Sequence, residues 1–374
     1  MIEEGEAKIE IKKNEKISKE MEVFYNPIMK LNRDISILLL KTFFNEKIRV
    51  ADILAGSGVR SIRLIKEAGE KIKSIDINDA SLTAVKNIKK NIEINNIRTK
   101  GKTIIINIHN KEANKFLLES EGFDYIDIDP FGSPNPFLDC AIKKISRNGV
   151  LAVTATDTAP LAGTYEKTCK RKYWAKPLRN YMMHEIALRI LIRKIQLIGC
   201  QYEKALSPLL SYAKEHYYRV FLKCEKSKEK CNTILEKHKF LGFCKECLNI
   251  ELFIEEEIKD VCKKCSKKIL IAGPLWSGKL GEHELAEKML KYADSNSAKL
   301  LETLKEEFKI NCVGFYKISN LCKIKKIKNT PKINDIIANL KNKKIVVSRT
   351  HFCGDCLKTE NFEELKNVIN SLVS

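Results

Sequence analysis

The run Asp127-Ile128-Asp129-Pro130-Phe131-Gly132-Ser133-Pro134 sets a carboxylate, a proline and an aromatic ring in succession behind an apolar stretch. Proline bars helical geometry at Asp129 and stiffens the loop, so Asp129 and Phe131 can be presented to a ligand. A carboxylate beside a flat ring suits chemistry on the amino group of a nucleobase such as guanine, whose nitrogen is a poor nucleophile. The carboxylate accepts N–H hydrogen bonds and offsets positive charge on that nitrogen, and the ring stacks on a base drawn out of its helix. The plainer alternative is an ordinary turn, with Asp129 as a cap and Phe131 in the core.

A second constellation lies upstream. Asp52-Ile53-Leu54-Ala55-Gly56-Ser57-Gly58 falls where a strand pattern gives way to a helix, a turn at which glycines let the backbone close on a nucleotide-like ligand. Gly56 and Gly58 lack the third glycine of a dinucleotide fingerprint, and alone they are equally a simple strand-to-helix turn. Asp76 ends the next strand pattern, where a carboxylate takes ribose hydroxyls, and Glu112-Ala113 follows the third, suited to an adenine. Each acid is also a routine helix cap, but the two together with the glycine turn, in register along one sheet edge, point to an adenosine-like ligand. A dinucleotide would leave similar marks. The Asp129 loop favours S-adenosylmethionine instead, whose sulfonium is already a good leaving centre and needs no covalent nucleophile.

The chain has thirteen cysteines, an odd number. Cys244-x-x-Cys247 and Cys262-x-x-Cys265 have the spacing of two knuckles that share one structural zinc. Cys353-Gly354-Asp355-Cys356 has no matching pair and is expected to be two free thiols in a loop, with a redox or second metal role as the alternative. His184-Glu185 lacks the second histidine of a zinc peptidase, Leu188 standing in its place, so it is expected on a helix surface or as core polarity.

These residues need a frame. Strand patterns at Ile48–Leu54, Lys73–Ile77, Thr103–Ile108, Phe123–Ile128 and Gly149–Thr154 alternate with helical ones at Val59–Ala68 and Ala80–Glu93 and a further one ending near Ile145. That rhythm predicts an α/β fold, a parallel sheet with helices on both faces and ligands beyond the carboxyl ends of its strands. Residues 155–180 read as irregular, polar and basic, followed by a helix at Tyr181–Ile198 and an antiparallel edge from Tyr202–Leu206 and Tyr217–Cys224. The charged stretch Glu225–Lys230 marks a boundary between a catalytic domain, 1–226, and a smaller α+β, zinc-containing domain, 227–374. Helices are expected there at Glu284–Tyr292, Ala298–Phe308 and Phe362–Val373, with a strand at Lys344–Ser348.

With 44% hydrophobic and 31% charged residues, the 374-residue chain reads as globular, with length for two cores. No apolar run is long enough for a bilayer span, and the acidic start Met1-Ile2-Glu3-Glu4 is unlike a secretory signal, so a cytoplasmic location is expected. A formal charge of +20 favours a polyanionic partner without choosing DNA or RNA. A monomer is expected, with no membrane and no obligatory protein partner.

Several motifs together resemble the tRNA (guanine-26-N2)-dimethyltransferase family in an archaeal-like form. They are Val23-Phe24-Tyr25-Asn26-Pro27, Asn32-Arg33-Asp34, Asp52–Arg60, Asp129–Pro134, Gly273-Pro274-Leu275-Trp276 and Ser348-Arg349-Thr350-His351-Phe352. The resemblance implies a class I, Rossmann-like methyltransferase sheet, S-adenosylmethionine, and two methylations of one guanine between the D-arm and anticodon arm of tRNA. It assigns cofactor contacts to Arg33, Arg60, Asp76, Glu112 and Ala113, catalysis to Asp129, base stacking to Phe131, and an aromatic near the base to Phe24. The four knuckle cysteines match its archaeal-type zinc site. Glu112 departs from the aspartate found in many relatives by one methylene, and the Cys353–Cys356 pair is unusual for the family. Competing readings are an amino-group methyltransferase for ribosomal RNA or DNA bases, and a non-catalytic zinc-bearing tRNA-binding protein.

Overall fold

The computed structural model describes residues 1–11, 23–98 and 103–373. Seven strands make the central sheet: β1 (Ile48–Asp52), β2 (Ile72–Asn78), β3 (Ile105–His109), β4 (Phe123–Ile128), β5 (Ile145–Ala155), β6 (Lys204–Lys214) and β7 (Tyr217–Lys226). Their order is β3-β2-β1-β4-β5-β7-β6, parallel from β3 to β5 and antiparallel across β5, β7 and β6. Val50, Ala51, Ile126, Ile128, Leu151 and Val153 are fully buried, which is why the middle strands read as continuous apolar runs. The chain leaves β1 to one side and returns on the other at β4, opening a crevice at their carboxyl ends, the usual place for a ligand in such a sheet.

Helices at Val59–Ala68, Leu82–Ile94, Ala113–Glu119 and Asn135–Lys144 follow β1 to β4. The long helix Met183–Gln201 packs against both Asn135–Lys144 and the strand Ile269–Trp276, so it joins the sheet to the C-terminal part. That part holds two three-stranded antiparallel sheets. His238–Cys244 lies between Ile250–Phe253 and Ile269–Trp276, and Cys353–Thr359 lies between Tyr316–Lys317 and Val347–Thr350.

One apolar cluster runs from Ala7 through the sheet to Ile369. Polar links reinforce it. Lys176 and Gly273 exchange backbone hydrogen bonds of 2.7 and 2.8 Å. Glu185, wholly buried, accepts from Arg189 at 2.8 Å and from Lys358 at 2.9 Å. The His184-Glu185 pair is thus core polarity rather than part of a metal centre.

Three expectations need correction. Residues 155–180 contain short helices at Thr158–Leu161 and Glu166–Tyr173; Cys169 and Tyr173, one helical turn apart, are buried anchors hidden among basic neighbours. The edge strand β6 runs on to Lys214, past a register shift between Pro208 and Leu210. Cys353 and Cys356 are a disulfide within a strand, not free thiols in a loop. Thr350 pairs with Cys353 but Arg349 with Leu357, and the bulge between them brings the two Cα atoms to 5.5 Å, within bridging range. Among the described residues no helix is long and apolar enough to cross a membrane.

Candidate active site

The loop after β1 is shaped by two left-handed glycines, Gly56 at φ 55° and Gly58 at φ 77°. A Cβ on Gly56 would stand 3.0 Å from the carbonyl oxygen of Phe24, so only glycine allows the segment Phe24–Asn26 to close over the loop. Backbone N–H groups pin it from both sides: Ala55 donates to Asn78 at 3.0 Å, Gly56 to the Asp79 carboxylate at 2.8 Å, and Ser57 to the Phe24 carbonyl at 3.1 Å. Asp52, at the end of β1, accepts from Ser61 Oγ at 2.7 Å. Burial pushes its pKa up to about 7, against the pull of Arg60 and with the help of Asp127.

Asp129 follows β4 and pairs with Arg60 through Oδ2. Arg60 is itself fixed by Asn32 Oδ1 at 2.9 Å, Ser36 Oγ at 3.0 Å and Asp127 at 3.3 Å. Behind it, Arg219 on β7 donates to both oxygens of Asp127, at 3.0 and 2.7 Å, and is wholly buried. The carboxyl of Asp127 is held below its ordinary range: burial raises it, but Arg219 and Arg60 outweigh burial. This backing holds Arg60, and through it Asp129, in one place. Phe131 is half exposed at the mouth, edge-on to Phe24 with ring centroids 4.3 Å apart. Gly132 N–H donates to Thr156 Oγ1 at 2.6 Å, so β5 supports the same loop.

A cavity of about 690 Å³ gathers Phe24, Arg33, Asp52, Gly56, Arg60, Asp129 and Phe131. Gly58, Asp76, Glu112 and Ala113 lie outside its wall. Asp76, near the carboxyl end of β2, bonds His109 at 2.7 Å and Asn107 at 3.2 Å. Glu112 caps the helix Ala113–Glu119 by accepting from Asn114 and Lys115 N–H, each at 3.0 Å. Arg33 is turned toward Glu4, with Nε 2.7 Å from its carboxylate, and toward the Asn26 carbonyl at 3.0 Å. Asp79, Thr156, His216 and Tyr217 also line the cavity. The sequence reading missed them. Asp79 had a signal, a second acid just past the strand bearing Asp76, whereas His216 and Tyr217 come from a distant hairpin turn.

The glycine cradle, the acids along the strand ends and the size of the cavity suit a nucleoside-bearing cofactor, since pockets of some hundreds of Å³ hold ligands of that size. The metal candidate lies elsewhere. The Sγ atoms of Cys244, Cys247, Cys262 and Cys265 all lie within 4.8 Å of one another, with 3.4 Å between Cys244 and Cys265 and 3.6 Å between Cys247 and Cys262. Four thiolates about 2.3 Å from one tetrahedral zinc would stand roughly 3.8 Å apart, so the cluster fits such an ion. The knuckles repeat each other: Leu248 donates to Cys244 O at 3.0 Å and Ser266 to Cys262 O at 2.8 Å, both from left-handed conformations. Burial raises the thiols of Cys244 and Cys247, whereas at Cys262 burial is outweighed by backbone N–H donors from Lys264 and Cys265, which pull that thiol below its ordinary range.

A sheet of this order with such a crevice is that of a class I, Rossmann-like methyltransferase. The sequence matches the family of N2,N2-dimethylguanosine tRNA methyltransferases over residues 5–371. The chain belongs to that family. It is 37% identical to the tRNA (guanine(26)-N(2)/guanine(27)-N(2))-dimethyltransferase of Aquifex aeolicus, covering 100% of this chain and 96% of that one. It is also 37% identical to the tRNA (guanine(26)-N(2))-dimethyltransferase of Methanocaldococcus jannaschii, with 100% and 98% covered. Its fold superposes on Trm1 from Pyrococcus horikoshii, solved with S-adenosyl-L-methionine, with a TM-score of 0.85 and 34% identity over 98% of this chain and 99% of that one.

Proposed function

We propose that this chain dimethylates the N2 amino group of guanine 26 in tRNA, with S-adenosylmethionine as methyl donor, and that it acts as a monomer in the cytoplasm. The observation that carries this reading is the convergence of the Gly56 loop and the Asp129-Pro130-Phe131 loop on one cavity, in a chain full-length similar to enzymes named for that reaction.

S-adenosylmethionine supplies an electrophilic methyl group. The Gly56–Gly58 turn, Asp76, Glu112 and Ala113 at the strand ends, and Arg33 and Arg60 are the residues that would hold it. Asp52, at the root of the same loop, keeps the turn in shape through Ser61. Because Arg60 occupies Oδ2 of Asp129, Oδ1 is the oxygen left to accept the base's N–H groups. Accepting them turns the amino group in one direction, offsets positive charge as the new N–C bond forms, and gives the proton that nitrogen then sheds an acceptor. Phe131 offers a bare face on which an extruded base can stack, and Phe24 braces that ring edge-on. A second methyl transfer needs the same carboxylate and the same ring, with the singly methylated amine rotated to expose its remaining hydrogen.

The C-terminal part, 227–374, with zinc at its four cysteines, is assigned to gripping tRNA, and 1–226 to catalysis. The decisive experiment is nucleoside mass spectrometry of unmodified tRNA incubated with the protein and S-adenosylmethionine, followed by mapping of the modified residue. N2,N2-dimethylguanosine at position 26 is expected. Product only on ribosomal RNA or DNA, or none at all, would overturn the reading.

A further inference from the structure

Beside the catalytic loop stands a surface the reaction described above does not use. Tyr165 and Trp174, at the two ends of the helix Glu166–Tyr173, are 60% and 52% exposed. Lys167, Arg171 and Lys176 are exposed around them. Large exposed aromatics set among cations are costly as plain surface and are the composition of a single-strand nucleic-acid platform, where rings stack on bases and cations meet phosphates.

Trp174 is held for display. Its backbone is left-handed, φ 55°, a conformation a bulky side chain rarely adopts without tertiary support. The support comes from beneath. Lys194 on the long helix is 5% exposed, has no carboxylate partner among the described residues, and sets its ammonium 2.8 Å from the centre of the indole ring. Burial, with Arg193 nearby, lowers the Lys194 pKa to about 8. Arg193 donates to the Trp174 carbonyl at 3.3 Å. One face of the indole is thus taken by a buried cation, while about half of the residue's surface stays exposed.

The platform is tied to the chemistry. Tyr173, next to Trp174 in the chain, bonds Ser133 Oγ at 3.1 Å and the Asp157 carboxylate at 2.6 Å. Asn135 donates to the Lys172 carbonyl at 2.8 Å. Ser133 lines the cavity with Asp129 and Phe131. On its other side, Lys176 joins the strand Ile269–Trp276 through the paired bonds to Gly273.

We infer that the exposed indole of Trp174 stacks on a base flanking the target guanine, while Lys167, Arg171 and Lys176 hold the phosphates of the same strand. This rests on the tRNA reading above and names the surface that positions the substrate. Trp174 is a positioning residue and touches no reacting atom.

The chain has two tryptophans, and Trp276 is buried at 6% exposure. Adding unmodified tRNA to the wild-type protein should therefore quench emission saturably, and the Trp174→Phe protein should lose that quench. Trp174→Ala should raise KM for tRNA roughly 5- to 150-fold, the range for one lost base–aromatic stack, with kcat at saturating tRNA, S-adenosylmethionine affinity and Tm little changed. Trp174→Phe should recover most of the loss. The triple variant Lys167→Ala/Arg171→Ala/Lys176→Ala should bind tRNA with a log–log salt slope smaller by about 3. Unquenched wild-type emission at saturating tRNA, or wild-type affinity in both Trp174→Ala and the triple variant, would overturn the inference. If wild type is quenched by tRNA but forms no dimethylguanosine, the reaction assignment fails while the platform stands.

Discussion

Glu185 is the point at which Gly314 and Lys358 of the C-terminal part are locked to the long helix Met183–Gln201, and Glu185→Gln should measure the strength of that lock. The carboxylate is wholly buried, with Oε1 taking Arg189 Nε at 2.8 Å and the Gly314 N–H at 2.8 Å, and Oε2 taking Lys358 Nζ at 2.9 Å. Burial alone would raise its pKa. The Lys358 and Arg189 charges, with the hydrogen bonds from Lys358 and Gly314, outweigh burial and hold it at about 2 against an ordinary 4.5. That gap corresponds to about 3 kcal/mol of folding free energy. Breaking a buried pair commonly costs about 3–5 kcal/mol because the partner is left without its counter-charge. Arg189 keeps three carbonyl partners, Trp276, Gly278 and Cys312, so the lower end, about 3 kcal/mol, is expected. A lowered carboxylate pKa stabilises the fold fully above the unfolded value and less as pH falls toward the folded one. The contribution should be complete at pH 7 and down to about 1 kcal/mol at pH 3. Urea unfolding of wild type and Glu185→Gln, followed by circular dichroism at pH 7 and in steps downward, reads the difference directly. A deficit below about 1 kcal/mol at pH 7, or one that does not shrink with acid, would refute the reasoning.

Three further outcomes can be checked. Asp129→Ala should abolish methyl transfer, a loss of at least about 100-fold in kcat, with S-adenosylmethionine binding retained by calorimetry; unchanged turnover would remove Asp129 from the mechanism. Gly56→Ala should weaken cofactor binding about tenfold, through a left-handed backbone that costs alanine about 1–2 kcal/mol and the contact with the Phe24 carbonyl; equilibrium dialysis with wild-type affinity would contradict the cradle. Cys244→Ser/Cys262→Ser should bind no zinc by atomic emission and expose the knuckles to protease, since structural zinc contributes on the order of 10 kcal/mol to small sites. A full metal complement in that protein would disprove the cluster.

Much of the sheet was legible because its signals are local. The middle strands are apolar runs bounded by turns: Ile48–Asp52 and Phe123–Ile128 lie where alternation of strand and helix puts them, and the strand expected at Gly149–Thr154 is the core of a longer one, Ile145–Ala155. The glycine loop, the acid-proline loop and the cysteine knuckles are likewise contiguous, so their chemistry could be read from spacing. What stayed hidden depends on partners far along the chain. Nothing near Arg219 marks it as the brace behind Asp127, and nothing in His216-Tyr217 marks a cavity wall; both follow from the antiparallel insertion of β7 beside β5. The helix Glu166–Tyr173 was masked because only Cys169 and Tyr173 face inward among basic residues. The Cys353–Cys356 bridge depends on a bulge that sequence spacing does not reveal.

That Tyr217 closes a pocket begun by Phe24 bears on how the protein is made. A nascent chain emerging from the ribosome has its glycine turn early, but the wall opposite arrives only with the last hairpin of the sheet, and Arg219 with it. At roughly 5–20 residues per second, seconds pass in which the first strands sit with an open seam and Asp127 without its brace. The wall of the pocket is finished only when translation has passed that hairpin, although the residues assigned to the cofactor, Arg33 to Ala113, are all made before it.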